Sequence, residues 1–411
     1  MRCAQNSQNF GQKVNYMNKI TIDNVRPKYI VILIWSIFFF LFFGLQQITN
    51  WPFLGSQHVK SHPSFIDLGP GLKSLECYRS VGLNVYDFID SEECWYIYGS
   101  TLLRVLSPTG LSVKSTITIG WILIAIMAFI LGYIFSLSIT NLKSNIIIYL
   151  GIVISPVTML LLERGNVDIL ILLFLIISAI MFYFKLELFS VVLILITASF
   201  KFYTLPLAFI FCLLISGKKQ KYFGLLLTLL TFVLILNDLR KIQDIPRVAN
   251  SSFGNSVIAM YFETIGLNIP LITQNIIGIF FLLIAIKVLM MLHLKWENFK
   301  TPKFPIINTW NIPNYLEVFF LITFLSCYFA GVSFDFRMIY LTLACLLEIA
   351  RTYKSSNTFP IIIGLDIVVN WVSNSKYLEP LGDLSLLFII AYFILLFRKE
   401  INIFPKNKMQ K

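Results

Sequence analysis

Charged side chains are scarce in this sequence. Asp, Glu, Lys and Arg together make up 13% of the 411 residues, whereas an ordinary soluble domain carries about 25%. Long polar stretches are also rare, because apolar runs recur from one end of the chain to the other and the mean hydropathy is +0.78. This composition excludes a predominantly soluble enzyme and predicts an all-α polytopic membrane protein with no soluble domain appended.

Metal-binding patterns are missing as well. The six cysteines show neither CxxC nor His–Cys spacing, the three histidines form no cluster, and the acids include no Asp-x-Asp pair. We therefore expect no metal and no other cofactor. Cys77 and Cys94 share one polar stretch. They could form a disulfide in an oxidising compartment, but we expect two free thiols.

Positive charge is in excess, with a formal net charge of +12. The basic residues lie mainly in the tails and in short connections between apolar runs, as the positive-inside rule requires, so we expect no nucleic-acid partner. Residues 1–28 and 398–411 are predicted to be cytoplasmic basic tails, and residues 29–397 a single membrane domain. No small-residue cleavage site follows the first apolar run, Tyr29–Leu45, which we therefore expect to be an uncleaved anchor.

The apolar runs predict about twelve transmembrane crossings with both termini in the cytoplasm. The continuous run 188–216 is interpreted as a hairpin of two short helices around Lys201–Pro206, because a single span would place the basic turn 217–221 outside. The two largest outer loops are then 47–113 and 238–270. The other predicted spans are Tyr29–Leu45, Thr116–Ser138, Ile146–Leu162, Asp168–Phe184, Tyr222–Leu236, Leu271–Met291, Tyr315–Gly331, Met338–Ala350, Phe359–Val372 and Leu384–Phe397.

The first outer loop combines a predicted helix with many carboxylates. Pro70 suits the first position of a helix and Gly82 suits its C-terminal cap. Leu72, Leu75 and Tyr78 would then share one face, which predicts a short amphipathic helix lying on the membrane. The acids of the loop are Asp67, Glu76, Asp87, Asp90, Glu92 and Glu93.

Four short motifs follow one another between residues 60 and 385. They are Gly82-Leu-Asn-Val-Tyr-Asp87, Glu163-Arg-Gly-Asn-Val-Asp168, Lys201-Phe-Tyr-Thr-Leu-Pro206 and Phe334-Asp-Phe-Arg337. In this order they resemble elements of the GT-C glycosyltransferases, and of family 87 in particular, whose members use polyprenol-phosphate-mannose. One departure is Tyr98-Gly-Ser-Thr101, where that family often has a Pro-containing Y-x-Y-P-P.

The resemblance implies a GT-C-like bundle that transfers a sugar, with inversion, on the outer face of the membrane. The implied partners are the bilayer, a polyprenyl-phosphate-linked sugar as donor and a glycolipid or polysaccharide as acceptor. A carboxylate can take the proton of the acceptor hydroxyl, and cations can stabilise the leaving phosphate. The implied residues are Asp67 as catalytic base, Arg337, Lys201 and Arg164 for the donor phosphate, and Asn166, Asp168, Asn84 and Tyr86 for substrate binding.

Five of these eight residues also have a purely structural interpretation. Asp67 could be a solvated turn residue ahead of a helix, and Arg164 and Asp168 could pair with each other at i,i+4 spacing. Arg337 could reach the lipid headgroups. Lys201 could reach water from the tip of the hairpin, although an intramembrane lysine is by default a functional candidate.

Two other functions remain open at this point. An O-antigen-type polymerase or ligase also has about twelve spans, but its largest outer loop comes late in the chain, whereas here it follows the first span. A transporter or flippase of lipid-linked sugars should show paired broken helices in two related halves. The sequence shows one interruption, at Lys201–Pro206.

Overall fold

A computed structural model describes residues 22–49, 65, 67–82, 94, 99–138, 150, 154–242, 252–253, 270–295, 310–329, 333–352 and 385–395. This part of the chain contains thirteen α-helices, and the expectation of an all-α protein is confirmed for it. The helices are α1 (Ile22–Thr49), α2 (Leu68–Val81), α3 (Ser100–Leu106), α4 (Thr116–Ser138), α5 (Pro156–Arg164), α6 (Asp168–Tyr183), α7 (Glu187–Phe200), α8 (Leu205–Leu214), α9 (Lys218–Ile242), α10 (Leu271–Lys295), α11 (Ile312–Phe329), α12 (Ile339–Thr352) and α13 (Ser385–Leu395).

Three helical segments in the described ranges are long and apolar enough to cross a membrane: Val113–Leu137, Lys218–Asp238 and Ile312–Phe329. A fourth is added if α5 and α6, between which the chain bends by 110°, count as one broken span. A straight crossing takes about 20 residues, and most of the remaining apolar helices are shorter than that. Twelve crossings therefore stay a prediction, and the predicted span Phe359–Val372 lies outside the described residues.

The predicted hairpin within 188–216 is confirmed as two helices. Helix α7 ends at Phe200, Lys201 is extended, a 3₁₀ turn covers Phe202–Thr204, and α8 begins at Leu205. Pro206 suits the first turn of α8, where the N–H that it lacks would have no partner within the helix. The Thr204 hydroxyl donates to the Lys201 carbonyl oxygen over 3.3 Å, so the break supplies its own polar contacts.

A second break separates α5 from α6. Gly165 ends α5 in the left-handed conformation, with φ +60°, and its N–H donates to the carbonyl oxygens of Leu161 and Leu162. This geometry is the usual end of a helix at glycine, since other residues rarely adopt it at low cost. Because of the sharp bend, the motif residues that follow Gly165 project away from the axis of α5.

The core is apolar and runs through the centre of the bundle. Helix α1 packs along α4, and α6 packs against α7 and α11, which in turn packs against α12. The side chains of Phe319, Phe320 and Phe324 on α11 are fully buried there. Helix α9, by contrast, leaves large apolar side chains such as Leu229 and Leu234 mostly exposed, as a lipid-facing helix requires.

The segment predicted to be the first outer loop, 47–113, contains the predicted short helix. Helix α2 begins at Leu68, two residues before Pro70, and ends at Val81, and Gly82 follows as its C-cap with a positive φ of +67°. We expected its apolar face to lie on the membrane. Instead that face packs on the protein, because Leu72 and Leu75 are buried in the core. At its far end, the Arg79 guanidinium donates to backbone carbonyl oxygens of the segment that precedes α4, those of Ser107 and Leu111.

One further expectation needs correction. Cys77 and Cys94 form a disulfide, with their Cα atoms 5.9 Å apart, so the expectation of free thiols is wrong. The bounds of the predicted second outer loop, 238–270, stay a prediction: α9 continues to Ile242, while its candidate span ends at Asp238. Within that loop the structure places a two-residue strand, β1 (Ser252–Phe253), antiparallel to β2 (Ser333–Phe334).

Candidate functional site

The carboxylate of Asp67 is held by the turn between α5 and α6. Its backbone N–H donates to the carbonyl oxygen of Arg164 over 3.0 Å. Its Oδ1 accepts from Arg164 Nη1 at 3.2 Å, and its Oδ2 accepts from Asn166 Nδ2 at 2.8 Å. Asp67 precedes α2, yet its side chain makes no capping hydrogen bond to that helix. The carboxylate therefore bonds to Arg164 and Asn166, which are 97 and 99 positions further along the chain, and not to the helix that Asp67 precedes.

Asn166 connects Asp67 to the interior of the protein. Its Nδ2 donates to Asp67, while its Oδ1 accepts from Lys201 Nζ at 2.7 Å and from the Asp168 backbone N–H at 3.0 Å. Because its Oδ1 faces two donors and its Nδ2 faces an acceptor, the orientation of the Asn166 amide group is determined. Only 1% of Asn166 is exposed, so it is a structural bridge between the two aspartates.

Lys201 occupies the break between α7 and α8. Its Nζ donates to Asn166 Oδ1 and, over 2.9 Å, to Asp168 Oδ2. Only 3% of the residue is exposed. A buried ammonium group is costly unless it is paired and hydrogen-bonded, and the two oxygens meet that requirement. The alternative that Lys201 reaches water from the tip of a hairpin does not describe its position in this structure.

Asp168 is the fully buried acid of the cluster. It opens α6, where the helix N-terminus favours a negative charge. Its Oδ2 receives the bond from Lys201 and lies 3.6 Å from Nε of Arg337, and its Oδ1 accepts a hydrogen bond from the Tyr203 hydroxyl. The pairing of Arg164 with Asp168 at i,i+4 does not form, since Arg164 pairs with Asp67 instead.

Arg337 and two tyrosines complete the cluster. Arg337 lies on a 3₁₀ turn, Asp335–Met338, and its Cζ lies 5.2 Å from the centre of the Tyr203 ring. The hydroxyl oxygens of Tyr203 and Tyr340 are 3.0 Å apart. Sequence reasoning missed both tyrosines. Tyr203 lies two residues after Lys201, within the motif 201–206, and Tyr340 lies about one helical turn after Arg337. Their closeness in sequence to these two cations was the signal that could have identified them.

Six of the eight sequence-predicted site residues thus form one connected polar cluster, drawn from four separate parts of the chain. The two aspartates, the three cations and Asn166 meet where the start of α2, the α5–α6 turn, the α7–α8 turn and the start of α12 converge. The other two, Asn84 and Tyr86, lie outside the described residues. The six are Asp67, Arg164, Asn166, Asp168, Lys201 and Arg337.

Exposure divides the cluster into an accessible edge and a buried interior. The side chains of Asp67, Arg164 and Arg337 are 20%, 26% and 16% exposed, whereas Asp168 and Lys201 are almost wholly enclosed. An accessible carboxylate beside guanidinium groups can accept a proton while the cations bind an anion. Comparison of the chain with protein-family models, with curated proteins and with solved structures gave no match.

Proposed function

We propose that this chain is an integral-membrane glycosyltransferase of GT-C type. It transfers a sugar from a polyprenyl-phosphate donor to a hydroxyl of a glycolipid or polysaccharide acceptor on the outer face of the membrane. The observation that carries the proposal is the partly exposed carboxylate of Asp67, held by Arg164 and Asn166 and joined through Asn166 to the cations of the interior. The resemblance of four sequence motifs of this chain to those of family 87 supports the same reaction.

In the proposed reaction the acceptor oxygen attacks the anomeric carbon of the sugar from the face opposite the phosphate. The bond between that carbon and the phosphate oxygen breaks, and its electron pair leaves with the phosphate. Asp67 takes the proton of the acceptor hydroxyl. One displacement gives inversion at the anomeric carbon. The reaction balances with no further reactant, and the products are the glycosylated acceptor and polyprenyl phosphate.

The cations have different roles in this proposal. Arg164 and Arg337 are the partly exposed ones, and a planar guanidinium matches phosphate oxygens. Lys201 is buried against Asn166 and Asp168. It therefore supports the site electrostatically and holds the two oxygens in place, while the arginines contact the donor. Cations fixed in advance near a developing negative charge are among the strongest sources of catalysis.

A transporter or flippase of lipid-linked sugars is the second candidate, and one observation favours it. Within the described ranges, short breaks separate α5 from α6, where the chain bends by 110°, and α7 from α8, whereas the sequence shows only one interruption. Broken helices whose ends meet charged groups are typical of secondary transporters. In such a protein Arg164 and Arg337 would bind the phosphate during passage, and Asp67 would transfer no proton to or from the substrate.

An assay on the purified chain in liposomes separates the two functions. Radiolabelled polyprenyl-phosphate sugars are offered with candidate glycolipid acceptors, and both the labelled acceptor and the side of the bilayer that holds the donor are measured. The proposal predicts a labelled acceptor with inverted configuration and release of polyprenyl phosphate. Movement of intact donor across the bilayer without any transfer would favour the transporter instead.

A further inference from the structure

Tyr203 contacts both a buried anion and a partly exposed cation of the cluster. Its hydroxyl donates to Asp168 Oδ1, and its ring lies under the guanidinium of Arg337 with 5.2 Å between Cζ and the ring centre. Tyr203 as a whole is partly exposed. The side chain therefore lies where the enclosed interior of the cluster meets its accessible edge.

The direction of the hydrogen bonds around Tyr203 follows from the number of protons. A phenol has one O–H to donate, and an ionised carboxylate can only accept. The Tyr203 proton is thus used on Asp168, so the bond of 3.0 Å between the two phenols must be donated by Tyr340. Tyr340, Tyr203 and Asp168 form a chain of donation that ends on the carboxylate, and such chains strengthen their own members.

Arg337 is the residue that gains from this arrangement. Nε of the guanidinium forms an ion pair with Asp168 Oδ2 at 3.6 Å, and the Tyr203 ring lies against its face. A cation over an aromatic face is attracted to the ring, and the attraction grows as the cation is desolvated. With its plane and one edge fixed, the guanidinium would meet a ligand in one orientation, which lowers the entropy lost on binding.

We propose that Tyr203 is a positioning residue that orients Arg337 toward the phosphate of the donor. The ring carries this role, and the hydroxyl, backed by Tyr340, holds Asp168 in place. The inference rests on the proposed function, because it takes the ligand of Arg337 to be a polyprenyl phosphate group. Tyr203 would then contact no reacting atom, but it would determine how tightly the site binds the donor.

The test compares variants that keep or remove the ring. Tyr203→Phe keeps the ring without the hydroxyl, Tyr203→Leu removes the ring, and Tyr340→Phe removes the upstream donor. Tyr133→Phe, on α4, is the matched control outside the cluster. The probe is farnesyl phosphate, whose binding to each purified variant in detergent is measured by calorimetry, alongside the KM for donor and for acceptor.

We expect Tyr203→Leu to weaken farnesyl phosphate binding and to raise the donor KM by about threefold to thirtyfold, the range of a lost cation–π contact. The acceptor KM should stay within about twofold in every variant. Tyr203→Phe should restore most of the affinity, and the control should match wild type. If Tyr203→Leu does not fold, Tyr203→Met, of similar volume and greater flexibility, replaces it as the variant without a ring.

The outcomes separate this inference from the proposed function. If wild type binds farnesyl phosphate and the ringless variant binds it equally well, Tyr203 does not position Arg337, while the proposed function stands. An equal rise in donor and acceptor KM would also contradict the inference, because it would indicate general damage to the site. Failure of wild type itself to bind farnesyl phosphate would contradict both.

Discussion

Asp67 and Arg164 are 97 positions apart in the sequence, yet Nη1 of the arginine lies 3.2 Å from Oδ1 of the aspartate. Their backbones are joined as well, by a hydrogen bond from the Asp67 N–H to the Arg164 carbonyl oxygen. The start of α2 is thereby attached, through main chain and side chain, to the bend between α5 and α6. That attachment brings the proposed base to the proposed donor site.

The buried pair of Lys201 and Asp168 should be sensitive to loss of one partner. Asp168→Ala leaves the ammonium of Lys201 enclosed without its counter-charge, and we expect the free energy of unfolding to fall by about 3–5 kcal/mol. Thermal and denaturant unfolding in detergent would measure this. The double variant Asp168→Asn with Lys201→Met should recover part of the loss, because neither charge then remains buried. A double variant that is less stable than Asp168→Ala would contradict the pairing.

Gly165 should tolerate no side chain. Its φ is +60°, and a Cβ there would lie 3.0 Å from the Cβ of Phe65. The left-handed conformation costs other residues about 1–2 kcal/mol, so Gly165→Ala should lower the free energy of unfolding by at least that amount. It should also reduce sugar transfer by displacing Phe65 and, with it, Asp67. Gly71→Ala on α2 is the control, since nothing lies within 4 Å of a Cβ there. Equal stability of the two variants would contradict this prediction.

The disulfide between Cys77 and Cys94 predicts that the loop containing both cysteines faces an oxidising compartment. Disulfides persist in oxidising compartments, so in intact cells the two cysteines should resist maleimide until a reductant is added. The bridged positions have a sequence separation of 17, so replacement of both cysteines by serine should cost about 3 kcal/mol of stability. Immediate labelling by a membrane-impermeant maleimide without reductant would show free thiols and contradict the bridge.

Asn166 should be replaceable only by a side chain that both donates and accepts. Asn166→Leu removes the bridge between Asp67 and Lys201 and leaves buried groups without a partner, which costs about 1–3 kcal/mol for each. We expect lower stability and a fall in transfer, with some activity regained in Asn166→Gln if the longer amide reaches both partners. The readout is the melting temperature together with the initial rate. A leucine variant as stable and active as wild type would contradict the bridging role.

The sequence predicted the cluster better than it predicted the bundle. Polar residues stand out in an apolar chain because burying them is costly, and for that reason the motifs at 163–168 and 201–206 could be recognised. Which residue pairs with which could not be read from spacing. Arg164 lies at i,i+4 from Asp168, but the bend at Gly165 separates the two and directs Arg164 to Asp67.

The tyrosines and the number of spans show what the sequence leaves open. Tyr203 and Tyr340 look like ordinary apolar positions, since aromatic residues are common throughout this chain, and their polar role depends on the three-dimensional approach of α12 to the α7–α8 turn. The apolar runs are evident, but their ends are not. Helices α7 and α8, for example, are each shorter than a full crossing, because the continuous apolar run breaks at Lys201.

The most direct test of the account is the turnover of Asp67→Asn. An asparagine keeps the size of the side chain but cannot take a proton. Because Asn166 is fixed by Lys201, it cannot turn to suit the new amide, so the melting temperature and farnesyl phosphate binding are measured in parallel. Glu76→Gln, on the same outer loop, is the matched control. Its carboxylate accepts from the Val113 backbone N–H and lies outside the cluster.

We expect Asp67→Asn to lower kcat by about 10²–10⁴-fold, the usual contribution of a general base, while farnesyl phosphate binding stays within about threefold of wild type. Glu76→Gln should transfer sugar at close to the wild-type rate. A folded Asp67→Asn variant that turns over as fast as wild type would contradict the central claim, and Asp67 would then be an anchor for the loop rather than the base.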